Sequence, residues 1–199
     1  MSLLIESIKL LDGKFCNLFY HEQRMLRSFH QLFGSSGGDL DLEKFLLDLD
    51  FPKEGLYKCR ITYDDVSREV DFIPYQPKSI ANLRIIEHDR VSYEFKYKDR
   101  KTIDRLYQLK KDSDDILIVK KGIVTDSSYA NIVFRKGKEW FTPWAPLLKG
   151  TQRQKLIDLN KVMQEEIKAK DIRSFDTFKL INAMLEFDGP EIEVKNIVS

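Results

Sequence analysis

Short strand-like and helix-like segments follow one another along this chain in no regular order, and this limits the possible folds more than any other feature. Asp12-Gly13, flanked by apolar residues, predicts a tight hairpin turn near the beginning. Strands and helices mixed in this way indicate an α+β fold and not regularly alternating β and α units. The pattern predicts strands at 3–11, 14–18, 56–63, 69–73, 79–86, 115–119, 131–134 and 178–185, and helices at 20–33, 41–49, 102–110 and 148–163.

Two prolines, Pro74 and Pro77, interrupt the chain after the first group of elements. Two closely spaced prolines indicate a loop, and they predict a domain boundary near 75–82. We therefore expect a small N-terminal domain, residues 1–78, followed by a larger C-terminal domain, residues 79–199.

Composition excludes several classes of function. Lys plus Arg number 33 and Asp plus Glu number 32, so the net charge of +1 provides no field that would attract nucleic acid or an anionic membrane. No apolar run is long enough for a membrane helix or an unbroken secretory signal. Cys16 and Cys59 are too few for a disulfide framework and lack metal-ligand spacing, so we expect reduced cysteines, no metal and a cytoplasmic location.

Two segments of the first half of the sequence carry candidate chemistry. Arg24, with His21, opens the first predicted helix, and its planar guanidinium could donate paired hydrogen bonds to a phosphate. The alternative is that both residues lie on a solvated face of the helix. Lys96 lies in a basic cluster at residues 95–101, where neighbouring cations favour the neutral amine that attacks a carbonyl. A solvated surface is the alternative there.

Two further segments lie in the second half. Asp126, in the turn-like stretch 122–131, could face a pyridine nitrogen and keep it protonated; a simple β-turn is the alternative. Gly150, Thr151 and Gln152 open a predicted helix and could form a phosphate cup from backbone amides. An ordinary N-cap at Thr151 explains the same residues.

Together these segments resemble, in order and approximate spacing, the class IV pyridoxal-phosphate enzymes, which include branched-chain and D-amino acid aminotransferases and aminodeoxychorismate lyase. The resemblance extends over almost the whole chain. The matching stretches are Ile5-Glu6-Ser7 with Asp12-Gly13, His21-x-x-Arg24, Lys96-x-x-Asp99-Arg100, Gly122-x-Val124-Thr125-Asp126 through Asn131, Thr142-Pro143, Leu148-x-Gly150-Thr151-x-Arg153, and Asn182-Ala183-Met184.

The resemblance implies the fold-type IV architecture, with a small N-terminal α/β domain and a larger C-terminal pseudo-barrel domain, in a shortened member of the family. It implies pyridoxal 5'-phosphate as the cofactor and a homodimer as the assembly. Lys96 would form the imine and act as acid and base, and Asp126 would pair with the pyridine nitrogen; Lys98 is the alternative lysine. The other implied cofactor-binding residues are Arg24, Ser127, Ser128, Asn131, Gly150, Thr151 and Gln152.

Two positions depart from the family pattern, because most members have glutamate at Asp126 and asparagine at Asp99. The expected function is a class IV aminotransferase that exchanges an amino group between an amino acid and a 2-oxo acid. One alternative is a 4-amino-4-deoxychorismate lyase that releases pyruvate and 4-aminobenzoate. Ser7, near the position where lyases often have threonine, is a substrate-site candidate for it. The other alternative is a binding module that keeps the fold without the cofactor.

Overall fold

The computed structural model describes residues 3–38 and 40–199. The chain divides into two compact units. The first consists of the chain up to Pro77 together with Phe95–Asp99, and the second of Lys78–Glu94 together with Arg100–Ser199. The boundary between residues 78 and 79 remains a prediction, and the segment that contains Lys96 groups with the first unit.

An antiparallel sheet forms the basis of the first unit. Its strands are β1 (Leu4–Leu11), β2 (Lys14–Phe15), β3 (Leu56–Tyr63) and β4 (Arg68–Pro74). Over the described residues the strand order is β2-β1-β3-β4. Asp12 and Gly13 have positive φ values of 46° and 75°, as a two-residue hairpin turn requires. The predicted hairpin is therefore confirmed, although its second strand ends at Phe15 and not at residue 18.

Two helices pack on this sheet within the first unit. Helix α1 (Leu18–Ser28) continues as a π-helical turn, Phe29–Phe33, and Gly34 ends it with a φ of 67°. Helix α2 (Leu42–Leu47) begins after Asp41, whose side chain accepts a hydrogen bond from the Lys44 amide at 2.9 Å. The shared core contains residues from all these elements, including Leu4, Ile8, Met25, Phe29, Leu46, Cys59 and Ile61.

The second unit is built on a mixed sheet. Its strands are β5 (Leu83–Glu87), β6 (Asp115–Lys120), β7 (Ile123–Ser127), β8 (Asn131–Lys136), β9 (Glu139–Pro143), β10 (Met163–Glu165), β11 (Thr177–Ile181), β12 (Ile192–Glu193) and β13 (Ile197–Val198). The described strands run in the order β10-β9-β8-β7-β6-β5-β13, with β11 paired to β8 and β12 to β11. Strand β5 is parallel to β6 and β13, and β9 is parallel to β10. The predicted α+β class is confirmed.

The helix predicted at 148–163 is too long at both ends. Helix α4 (Thr151–Asp158) begins only after Gly150, whose backbone is extended, and Asn160 leaves the helical path with a φ of 53°. Met163 already belongs to β10. The apolar residues between 159 and 163 keep the helical spacing only by coincidence. Val162, for example, is buried outside the helix, in a core cluster with β8 residue Val133.

Other elements also differ from the sequence prediction. The predicted strand 178–185 ends at Ile181, because the Asn182 side chain accepts hydrogen bonds from the amides of Met184 and Leu185 and turns the chain. The predicted strand 79–86 begins only at Leu83. Helix α3 (Lys101–Tyr107) begins within one residue of its prediction, and the last three predicted residues form a 3-10 helix, Gln108–Lys110. Over residues 3–38 and 40–199 no helix has the length and apolar character needed to span a membrane.

Candidate active site

Lys96 is fixed by its backbone beside the first strand of the first unit. The Lys96 carbonyl accepts a hydrogen bond from the Ile5 amide at 2.9 Å, and the Lys98 amide donates to the Leu3 carbonyl at 2.9 Å. Lys96 is half-buried, whereas Lys98 is exposed. The two lysines therefore have different surroundings although they are only two residues apart.

Arg24 takes part in a buried network with a residue that sequence reasoning did not single out. Its Nε donates to Glu6 Oε1 at 2.8 Å and its Nη2 donates to Glu6 Oε2, while His21 Nδ1 lies 2.6 Å from Oε2. Glu6 and His21 are fully buried. Burial by itself would raise the pKa of Glu6, but the charge of Arg24 and the hydrogen bond from His21 outweigh it and lower that pKa to about 2.

His21 is held neutral in this network. Burial lowers its pKa, and the Glu6 carboxylate opposes that shift without reversing it. Because an ionised carboxylate only accepts hydrogen bonds, the proton of the neutral imidazole belongs on Nδ1. His21 therefore donates to Glu6 and helps to fix the carboxylate that binds Arg24.

Positive charge exceeds negative charge around this network. Arg27, one turn beyond Arg24 on α1, is half-buried. Its pKa is lowered by burial and then by the charge of Arg24, while Glu6 opposes the shift. The charge of Lys96 also reaches His21 and lowers its pKa. Three cations around one carboxylate make this part of the first unit suitable for an anion.

Ser7 does not share the side of the sheet on which this network lies. Neighbouring residues of a strand point to opposite faces, so Ser7 faces away from Glu6. It is half-buried and pairs with Arg60 of β3 across the sheet. Ser7 remains a prediction as a substrate contact.

Asp126 lies on β7 and is buried in the second unit, which corrects the interpretation of residues 122–131 as a turn alone. Its Oδ1 accepts a hydrogen bond from Asn131 Nδ2 at 2.7 Å, and its Oδ2 accepts one from the Leu148 amide at 2.9 Å. Burial raises the pKa of Asp126 to about 6, although both donors and the Arg153 charge act in the opposite direction. The carboxyl is thus fixed in position, and its negative charge is costly unless a cation lies beside it.

A tight turn joins β7 to β8 directly after Asp126. Ser127 Oγ accepts hydrogen bonds from the amides of Ala130, at 3.1 Å, and Tyr129, at 3.4 Å. The Ser128 carbonyl accepts one from Arg100 Nη2 at 2.6 Å. Both serines therefore have fixed backbone positions next to Asp126.

The beginning of α4 is joined to Asp126 through Asn131. Asn131 Nδ2 also donates to the Leu148 carbonyl at 2.8 Å, so one side chain links β8, the carboxylate and the loop before α4. A Cβ added to Gly150 would lie 2.0 Å from Asn131 Oδ1, so any larger residue at this position would force the Asn131 side chain to shift. Thr151 and Gln152, which follow it, are buried.

Arg153, in the first turn of α4, anchors the helix to neighbouring strands. It is buried, its Nη2 donates to the Pro143 carbonyl at 2.8 Å and to Gln164 Oε1 at 3.0 Å, and its Nε donates to Thr142 Oγ1 at 3.3 Å. These contacts give a structural reason why both Thr142-Pro143 and Arg153 occur in the stretches that match the class IV family.

The structure brings the candidate residues together as two groups, one in each unit. Arg24 and Lys96 belong to the first unit. The second unit contains Asp126, Ser127, Ser128, Asn131, Gly150, Thr151 and Gln152. Sequence reasoning included Glu6 in the matching stretch Ile5-Glu6-Ser7 but gave it no role, although a carboxylate stands there at a position whose alternation predicts an apolar residue.

Known proteins resemble this chain over most of its length. A family model described as amino-transferase class IV matches residues 3–187. An uncharacterised protein of Haemophilus influenzae is 37% identical over 182 residues, which is 91% of this chain and 97% of that protein. A solved structure from Haemophilus somnus 129PT, provisionally described as a 4-amino-4-deoxychorismate lyase, is 32% identical with a TM-score of 0.85 and covers 94% of this chain and 98% of its own. An aminotransferase of Brucella abortus, solved with pyridoxal phosphate, shares the fold at 20% identity with a TM-score of 0.72, over 96% of this chain and 83% of its own.

Proposed function

Because the chain belongs to the class IV aminotransferase family, with the fold-type IV architecture predicted for it, we propose that it is a pyridoxal-phosphate-dependent transaminase. In this proposal it exchanges an amino group between an amino acid and a 2-oxo acid, and acts in the cytoplasm as a homodimer. The observation that carries the proposal is the buried Asp126 carboxyl, whose pKa is raised to about 6 and whose two oxygens are each held by a donor.

Asp126 fits the pyridine nitrogen of the cofactor. A protonated ring nitrogen beside it would add positive charge to that of Arg153 and would favour the ionised form of the acid. The bound cofactor supplies an electron sink for carbanions at the substrate α-carbon. Asp126 is one methylene shorter than the glutamate usual in the family, and Asn131 and the Leu148 amide define where its oxygens lie.

Two further groups fit the phosphate. Arg24, in its net positive surroundings, would bind it with a charge-assisted hydrogen bond. The amides at Gly150, Thr151 and Gln152 would supply additional donors at the beginning of α4, where the helix dipole favours an anion. The absence of a Cβ at Gly150 lets its backbone pack directly against Asn131, which in turn holds Asp126.

Lys96 is the amine that we assign to the cofactor aldehyde. It is half-buried, and its backbone carbonyl accepts a hydrogen bond from the Ile5 amide. The backbone from which its side chain extends is therefore fixed in position. The attack on the aldehyde requires the neutral form of this amine. The Lys96 amine would take the proton from the substrate α-carbon and, in amino transfer, would deliver it to the cofactor carbon that receives the amino group. Ser127 and Ser128 would lie close to the cofactor, next to Asp126.

Absorbance of the purified protein with added pyridoxal phosphate tests this assignment. We expect the visible band of a lysine-linked cofactor in the wild type and in K98A, and no such band in K96A. A band lost only in K98A would move the assignment to Lys98. A wild-type protein that takes up no cofactor would support the alternative of a binding module that has kept the fold.

A second candidate function is the 4-amino-4-deoxychorismate lyase reaction, which releases pyruvate and 4-aminobenzoate. The similarity to the Haemophilus somnus structure, at 32% identity over 94% of this chain, favours it. The same residues would hold the cofactor in either reaction. Pyruvate formed from 4-amino-4-deoxychorismate without any oxo-acid acceptor would establish the lyase, and amino transfer that requires an acceptor would establish the transaminase.

A further inference from the structure

Glu6 is a fully buried carboxylate to which the proposed reaction gives no task. It occupies the face of β1 on which Leu4 and Ile8 form the core. Buried ion pairs stabilise folds little, since replacing a whole pair with apolar residues of similar size is often neutral or stabilising. Folding alone therefore gives little reason for a carboxylate at this position.

The geometry of the Glu6 contact restricts the orientation of Arg24. Both Nε and Nη2 bind the carboxylate, so one edge of the guanidinium is clamped and its plane is fixed. His21 donates to the same carboxylate at 2.6 Å and limits its rotation in turn. The Nη1 nitrogen, on the far side of Cζ from the clamped edge, consequently has a fixed direction.

We infer that Glu6 is a positioning residue that holds Arg24 in the orientation required to bind the phosphate group of the cofactor. This inference rests on the proposed function, in which Arg24 is a phosphate ligand. Glu6 acts only through Arg24, because two anions in direct contact would repel each other.

Charge and orientation predict opposite effects for the loss of the Glu6 carboxylate. Removing a negative charge from the network would by itself strengthen the binding of a phosphate dianion. Removing the clamp would let the guanidinium rotate and would weaken the binding. The sign of the change in E6Q therefore separates a positioning role from a merely electrostatic one.

The experiment compares pyridoxal phosphate with pyridoxal, which has the same aldehyde and ring but no phosphate. Dissociation constants for both are measured by absorbance titration of the wild type, E6Q and E54Q, with folding verified by circular dichroism melting. We expect E6Q to bind pyridoxal phosphate about tenfold more weakly or worse, the effect of one charge-assisted hydrogen bond, and to bind pyridoxal like the wild type. Glu54 is exposed in the same unit, so E54Q makes the same charge change without the contact and should behave as the wild type.

Tighter or unchanged binding of pyridoxal phosphate by E6Q would overturn the inference, and so would an equal loss for both aldehydes. If E6Q does not fold, E6D, which keeps the charge with a shorter reach, should show the same selective loss to a smaller extent. If the wild type binds neither aldehyde, the proposed function fails, and inorganic phosphate then tests Glu6 separately. A phosphate-dependent rise in melting temperature that E6Q loses would still support the positioning role, and a rise that is equal in both proteins would refute it.

Discussion

Asp126 makes the stability of the cofactor-free protein depend on pH. Burial raises its pKa in the folded state to about 6, above the value of about 3.9 expected for an unfolded chain. Between these values the folded state binds more protons than the unfolded state, so the free energy of unfolding falls as pH rises from about 4 to about 6 and is level above that range. The asparagine side chain of D126N does not titrate, so this variant should lose that part of the decline, at most about 3 kcal/mol.

Urea unfolding at intervals between pH 4 and 7 measures this effect as the difference between the wild type and D126N. D171N is the matched control, because Asp171 is exposed in the same unit. Wild-type and D126N curves that stay parallel across the range would show that Asp126 does not titrate there.

Gly150 is a second residue whose replacement has a defined consequence. Its φ is negative, so G150A introduces no backbone strain, but the new Cβ would meet Asn131 Oδ1 at 2.0 Å. We expect Asn131 to move away from Asp126 and the variant to lose about 1–3 kcal/mol of unfolding free energy, as overpacked sites do. Pyridoxal phosphate should also bind more weakly.

Chemical denaturation and cofactor titration of G150A and G189A test this prediction together. Gly189 has its nearest atom at 3.8 Å and also lacks a positive φ, so G189A should change neither quantity. Equal behaviour of the two variants would mean that Asn131 adapts without cost.

At the level of elements, Arg153 joins helix α4 to strands β9 and β10. Its hydrogen bonds to Thr142, Pro143 and Gln164 connect the helix to two strands that already pair with each other. R153M should keep the buried stem but lose the charge-assisted bonds, at a cost of about 2–4 kcal/mol in unfolding free energy.

The exposed residue Arg105 of α3 provides the control, since R105M removes the same group without buried partners. Thermal or urea unfolding distinguishes the two variants. An R153M protein as stable as R105M would imply that packing alone holds α4 on the sheet.

The elements that sequence reasoning located are those whose signals are local. The Asp12-Gly13 turn fixes its hairpin through backbone conformation alone, and α1 has an amphipathic face that meets a core. Five of the described strands were not predicted: β7 and β9, which have five residues each, and β10, β12 and β13. The last three have only two or three residues each and exist only through their partner strands. Helix α4 was predicted too long because its period continued past Asn160, where a left-handed backbone ends it.

The candidate site shows the same division between local and distant information. Arg24, Lys96 and Asp126 stood out through their motif spacing. Glu6 also lies in a matching stretch but received no role, because its role depends on His21 and Arg24, which lie 15 and 18 residues away along the chain. The anchoring of Asp126 by the Leu148 amide was likewise hidden, since a backbone donor leaves no mark on the sequence.

For the molecule as a whole, the residues that we propose for cofactor binding are divided between the two compact units. Arg24 and Lys96 come from the first, and Asp126 and Thr151 from the second. A ligand that binds only the folded state stabilises it by about 2.7 kcal/mol at 100 times its dissociation constant. We therefore expect pyridoxal phosphate to slow amide hydrogen exchange in β1 and α1 and also in β7 and α4.

Hydrogen exchange with mass spectrometry tests this expectation, with pyridoxal phosphate added to the wild type, R24M and D126A. If one cofactor engages both groups of residues, each variant should lose the added protection in both units, because weaker binding lowers the ligand-dependent stability everywhere that it acts. Exchange in the absence of cofactor controls for local destabilisation by each substitution. Protection limited to the first unit, and unaffected by D126A, would mean that phosphate binding at Arg24 is real but that Asp126 serves another purpose.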